Sequence, residues 1–120
     1  MKVLLVDDAA FVRMSLKRVL DESEYDFTYI EASTGQEGID LFKREKPDLI
    51  IMDITMPGMN GIEAVEKIMD IDSNAKIIMC YSMGYQEKVV DAITAGAVDF
   101  IVKPYTSEKI MLAIEKVMKI

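Results

Sequence analysis

Four side chains in this sequence could do chemistry together: Asp7, Asp8, Asp53 and Lys103, each placed where a short apolar run ends. Val3-Leu4-Leu5-Val6 runs into Asp7-Asp8, Leu49-Ile50-Ile51-Met52 into Asp53, and Phe100-Ile101-Val102 into Lys103-Pro104. Three carboxylates and an ammonium outline a site for a cation and a phosphate, since hard divalent ions take oxygen ligands and a lysine offsets phosphoryl charge. The chain contains no histidine. Without an imidazole, Ser-His-Asp, Cys-His and zinc–histidine schemes fall away, which leaves carboxylates, hydroxyls, a lysine and a hard metal ion.

These residues meet only if strands carry them to one edge of a sheet. Apolar runs at residues 2–6, 26–31, 48–53, 76–80 and 98–102 lack period-2 alternation, as strands do when helices cover both faces of a parallel sheet. Segments of helical period separate them, so the pattern predicts an α/β fold, a (βα)5 doubly wound five-stranded parallel sheet in the order 2-1-3-4-5. A first helix is expected near 10–22 with Val12, Leu16, Val19 and Leu20 inward, and a second near 35–45 behind a Thr34–Glu37 capping box. Asn60 should cap a third helix carrying Ile62, Val65, Ile68 and Met69, and a fourth should carry Val89, Val90 and Ile93 and end near Gly96. The fifth starts near Thr106, with Ile110, Ala113, Ile114 and Val117 on one stripe and Met111 and Met118 to its side.

In that order the first and third strands are neighbours, and Asp7, Asp8 and Asp53 converge. Their repulsion calls for a cation. Mg²⁺ fits best, with Mn²⁺ able to substitute, and the backbone carbonyl of Thr55 is a further candidate ligand. Successive strand residues point to opposite faces, so Asp7 and Asp8 can both serve only if the chain turns there.

Length and composition narrow the setting. With 120 residues and 51% hydrophobic content, residues 1–120 suit one compact domain. A net charge of -7 with no basic run argues against nucleic acid as a partner and points to protein contacts. The single cysteine, Cys80, ends an apolar run, which excludes a disulfide framework and suits a reduced interior. The N-terminal apolar run is too short for a signal peptide, and no run reaches membrane-spanning length, so the expected location is cytoplasmic, without membrane insertion.

Together, Val6-Asp7-Asp8, the stretch Met52-Asp53-Ile54-Thr55-Met56-Pro57-Gly58-Met59-Asn60-Gly61 and Lys103-Pro104 resemble the receiver domain of two-component response regulators over all 120 residues. Asp8-Ala9-Ala10-Phe11, Arg13-Met14 and Met83-Gly84 are similar to its stand-alone chemotaxis branch, which carries no DNA-binding output domain. The resemblance implies that Asp53 accepts a phosphoryl group from a phosphohistidine on a CheA-like histidine kinase. It further implies Mg²⁺ held by Asp8, Asp53 and the Thr55 carbonyl, Asp7 acting through water, and Lys103, whose peptide bond to Pro104 is expected to be cis, pairing with phosphoryl oxygens. Such a protein is a phosphoacceptor that catalyses only its own phosphoryl transfer and dephosphorylation. Its output would go to a motor-switch or adaptor protein, with a phosphatase as a further partner.

One position departs from the family pattern. Receivers place Ser or Thr at the end of the fourth strand, where this chain has Tyr81, followed by Ser82. The tyrosine is expected either to swing out to solvent or to fill the pocket, with Ser82 on another face. The matching switch aromatic is Phe100, whose missing hydroxyl should favour an inward rotamer. The implied partner surface is the face of the fourth helix, fifth strand and fifth helix, with Tyr85, Tyr105, Met111 and Met118 as its adaptable contacts.

Three other classes compete. A flavodoxin-type electron carrier would need a hydroxyl and glycine-rich phosphate loop where this chain has Asp7-Asp8-Ala9-Ala10. A haloacid-dehalogenase-like hydrolase would want a second acid at Thr55. The runner-up is a receiver-fold interaction module impaired in phosphorylation, which only Tyr81 favours.

Overall fold

The computed structural model describes residues 1–82 and 84–120; Met83, part of the chemotaxis-branch resemblance, lies outside the described residues. Strands β1 (Lys2–Val6), β2 (Thr28–Ala32), β3 (Leu49–Asp53), β4 (Ile77–Ser82) and β5 (Asp99–Lys103) alternate with helices α1 (Ala10–Asp21), α2 (Gly35–Glu45), α3 (Gly61–Ile71), α4 (Glu87–Ala95) and α5 (Ser107–Met118). All four strand pairings are parallel, and the order is β2-β1-β3-β4-β5, the expected doubly wound sheet. The fourth strand runs past its expected end at residue 80 because Tyr81 and Ser82 pair with Val102 and Lys103.

Strand parity sorts the core into two layers. Leu4, Val6, Ile50, Met52, Ile77, Met79 and Tyr81 face α2, α3 and α4, while Val3, Leu5, Leu49, Ile51, Ile78, Cys80 and Ile101 face α1 and α5. Both faces are covered, and β3 is buried along its whole length, so its sequence is apolar at every position up to Asp53.

Local chemistry starts most of the helices. Asn60 Oδ1 accepts from the Glu63 amide at 3.0 Å and Thr106 Oγ1 from the Lys109 amide at 3.2 Å. Thr34 caps α2 through the Glu37 amide at 3.1 Å, but the Glu37 carboxylate accepts from Ser33 rather than from Thr34, so the expected capping box is skewed by one residue. The residue before α1 is Ala9, with no side-chain cap, so neither Asp7 nor Asp8 is the N-cap of that helix.

The expected stripe of α4 needs correction. Val89 is buried, but Val90 is 66% and Ile93 51% exposed, and the second inward residue is Ala92. This short helix covers the end of the sheet beside the edge strand, so only a narrow strip of it reaches the core.

Candidate functional site: an acid–lysine pocket at the carboxyl edge

Parity also builds the site. Asp7 continues the odd-numbered series of β1, Asp53 that of β3 and Lys103 that of β5, so all three emerge on the α1–α5 side of the carboxyl edge. Lys103 Nζ lies 3.1 Å from Asp7 Oδ2 and 3.4 Å from Asp53 Oδ1. Its peptide bond to Pro104 is cis. Asp8 would point to the opposite face on a continuing strand, but β1 ends at Val6 and the chain bends at Asp8. That bend brings carboxylate oxygens of Asp7, Asp8 and Asp53 within 4.8 Å of one another. Oxygens around a six-coordinate Mg²⁺ lie at most about 4.2 Å apart, so a small contraction would let these carboxylates share one ion.

The three acids differ in environment. Asp7 is buried and engaged on both carboxylate oxygens, Oδ1 by the Ala9 amide at 2.9 Å and Oδ2 by Lys103. Asp8 is exposed, and among the described residues no hydrogen bond or ion pair reaches its carboxylate. Asp53 is buried, and its Oδ1 meets Lys103 and, at 3.4 Å, the Thr55 amide, while among the described residues Oδ2 has no hydrogen-bond partner. Burial pushes the Asp53 carboxyl above its usual range and the Asp7 charge adds to this, while Lys103 pulls it back. For Lys103, burial works to lower the value, but the charges of Asp53 and Asp7 outweigh it and hold the ammonium above its ordinary value.

The loop beyond Asp53 is fixed by a close approach. The Gly61 amide donates to Ile54 O at 2.8 Å, and a Cβ on Gly61 would fall 2.2 Å from the Asp53 carbonyl oxygen. Only glycine lets α3 start this near the end of β3. Cys80, paired in register with Asp53, is buried and its thiol is pushed up to about 12 by burial, so it is inert, as its apolar run suggested.

At the β4–β5 corner one open alternative is decided and one expectation changes. Tyr81 does not swing out; it is buried in the α2–α3–α4 layer and lies against Phe100, ring centroids 6.1 Å apart at 55°. Phe100 is consequently 40% exposed rather than inward, because the Tyr81 ring fills the space it would have taken. Ser82 is exposed and sits beside Lys103 in register, on the other face from Tyr81, as strand period requires.

The expected partner residues also separate. Tyr85 is exposed, but Met111 and Met118 are half-buried against the α1–α5 layer, and Tyr105 packs beside Phe11, Val12 and Lys103. Apolar surface at the α4–β5–α5 face comes instead from Val90, Ile93, Phe100 and Leu112, the last 67% exposed. Leu112 was visible as the one apolar residue on the otherwise charged side of α5, among Glu108, Lys109, Glu115 and Lys116.

Sheet order, the acid cluster and the bridging lysine define a receiver domain, and the response regulator receiver domain model matches residues 3–115. The chain belongs to that family, on its CheY-like chemotaxis branch. Chemotaxis protein CheY of Thermotoga maritima is 52% identical over 118 residues, 98% of each chain. Chemotaxis protein CheY of Bacillus subtilis is 47% identical, covering 98% of this chain and 97% of that one. Among solved structures, the CheX-CheY-BeF3-Mg+2 complex from Borrelia burgdorferi aligns with a TM-score of 0.90 at 32% identity, over 98% of this chain and 89% of that one. The reading as an unswitched interaction module gains no support from these relatives.

Proposed function

We propose that residues 1–120 act as one receiver unit of a cytoplasmic chemotaxis pathway, accepting a phosphoryl group on Asp53 and changing affinity for a protein partner. The observation that carries this reading is the Asp7–Lys103–Asp53 bridge, with distances of 3.1 and 3.4 Å, beside the exposed Asp8 carboxylate. Asp53 Oδ2 attacks phosphorus in line as the bond to the donor imidazole breaks, and the imidazole leaves with the electron pair. Lys103 neutralises an equatorial phosphoryl oxygen, and Asp7 holds that ammonium in place. Asp8, Asp53 and the Thr55 carbonyl would hold Mg²⁺, which offsets charge on the transferring group. The presence of BeF3 and Mg²⁺ together in the Borrelia burgdorferi complex supports this chemistry, and its CheX supports a phosphatase or kinase type of partner.

The donor that the family membership implies is a phosphohistidine on a CheA-like kinase, which lets a chain with no histidine of its own take part in histidine-based signalling. Output goes to a motor-switch or adaptor protein through the exposed Val90, Ile93, Phe100 and Leu112. The test is intact mass after incubation with acetyl phosphate and Mg²⁺, beside an Asp53→Asn variant. A phosphoryl adduct that requires Mg²⁺ and is missing from the variant is the expected result. An adduct that persists in Asp53→Asn overturns the assignment.

A further inference from the structure

Asp8 is the exposed acid of the cluster, and no described side chain steers it, yet it must meet Asp53 across the edge. Its direction is set one peptide earlier. The Asp7 carbonyl oxygen lies in the same rigid plane as the Asp8 amide and Cα, so holding that oxygen orients the N–Cα bond about which the Asp8 side chain is placed. Arg13, on the first turn of α1, donates from Nη1 to this carbonyl. Its Nε donates to Glu31 Oε1 at 3.0 Å, and Glu31 is held by a second cation, Lys17 Nζ, at 2.8 Å. The arginine side chain is only 15% exposed, and the Asp7 amide on the same residue donates to Ala32 O at 3.1 Å. The bend is therefore clamped from β2 and α1 together.

We propose that Arg13 is a positioning residue for the divalent cation: its fork, braced by Glu31, holds the Asp7–Asp8 peptide so that the Asp8 carboxylate faces Asp53. The inference rests on the Mg²⁺ site of the proposed function. It makes a claim that simple electrostatics contradicts. A guanidinium near a cation site repels the ion, so if Arg13 acted only through its field, removing its charge would tighten Mg²⁺ binding. As a positioning group it does the reverse, and an ammonium cannot replace it because the two donors must reach a carbonyl and a carboxylate at once.

Mg²⁺ titration calorimetry of wild type, Arg13→Lys, Arg13→Met and Asp8→Asn separates the possibilities. Unfolding in EDTA is measured in parallel to show that each variant is folded at the titration temperature. Arg13→Lys keeps the charge and Arg13→Met keeps the aliphatic stem; both should weaken Mg²⁺ binding by about tenfold, the scale of losing a residue that orients a ligand. Unchanged binding in Arg13→Lys with tighter binding in Arg13→Met means a field effect and overturns the proposal. Binding within twofold of wild type in both, with only the unfolding midpoint lowered, reduces Arg13 to a structural residue and overturns it equally. Failure of wild type to bind Mg²⁺, or undiminished binding in Asp8→Asn, instead removes the metal site on which the inference rests.

Discussion

Two corners of the same sheet edge are built on opposite terms. Where β1, β3 and β5 end, the charged groups Asp7, Asp53 and Lys103 are withdrawn from water and bonded to one another. Where β4, α4 and β5 meet, the large apolar groups Val90, Ile93 and Phe100 are left in water while the phenol of Tyr81 is drawn in. Neither arrangement minimises free energy locally. Clustered carboxylates cost stability, and exposed apolar side chains forgo burial. The first corner concentrates charge that a cation and a phosphoryl group could use, and the second keeps apolar area that the core does not need. Charge and exposed apolar area are in this way kept apart, although β5 carries a residue of each, Lys103 and Phe100.

The largest expected effect tests whether the charged corner is held by its lysine. Lys103→Met leaves the Asp7 and Asp53 carboxylates facing each other without a counter-ion. Removing one partner of a buried pair costs about 3–5 kcal/mol, so urea denaturation in EDTA should show a loss of that size. Mg²⁺ should return part of it by binding the folded state alone. A loss under about 1 kcal/mol would put these pairs on the scale of surface ion pairs and erase the contrast between the corners.

The charged corner was legible in the sequence because ionic side chains at the ends of apolar runs have few structural uses, and strand parity put Asp7, Asp53 and Lys103 on one side. The apolar corner was not. Helical spacing placed Val89, Val90 and Ile93 on one arc, but spacing cannot say how much of that arc a short helix at the sheet's end will cover. Met111 and Met118 show the same limit: lying off the main stripe of α5, they are still half-buried against the α1–α5 layer. The missing hydroxyl of Phe100 carries no information about the volume of Tyr81 beside it, and that volume keeps Phe100 partly outside. The clamp of Arg13 on the Asp7 carbonyl had no sequence signal, since it joins a side chain to a backbone atom across three elements.

A smaller effect distinguishes charge from shape within the acidic corner. Burial raises the Asp53 carboxyl above its ordinary value of 3.8, so the folded chain holds that proton to higher pH than the unfolded chain does. The stability Asp53 contributes is then complete below 3.8 and is lost as pH rises through the raised folded value. Asn keeps the shape without the charge. In EDTA, Asp53→Asn should be more stable than wild type at neutral pH, and the advantage should shrink to nothing as the pH is lowered past the ordinary carboxylate value. Thermal unfolding across that range measures it. An advantage that grows on acidification would mean that Lys103 more than offsets the burial of Asp53.

The smallest effect is the sharpest test of the apolar corner, because it compares neighbouring residues of one type. Val89 is 8% exposed and Val90 66% exposed on the same turn of α4. Val89→Ala removes buried methyl groups and should cost about 2 kcal/mol in denaturant unfolding. Val90→Ala removes the same atoms from water and gains slightly in helix propensity, so its stability should stay within about 0.5 kcal/mol of wild type. Partner binding should respond in the opposite order. If Val90 and Ile93 serve a docking face, Val90→Ala weakens association with the output protein while leaving the fold intact, whereas a fold that loses as much from Val90→Ala as from Val89→Ala would mean that α4 is covered on both sides and that no such free surface exists.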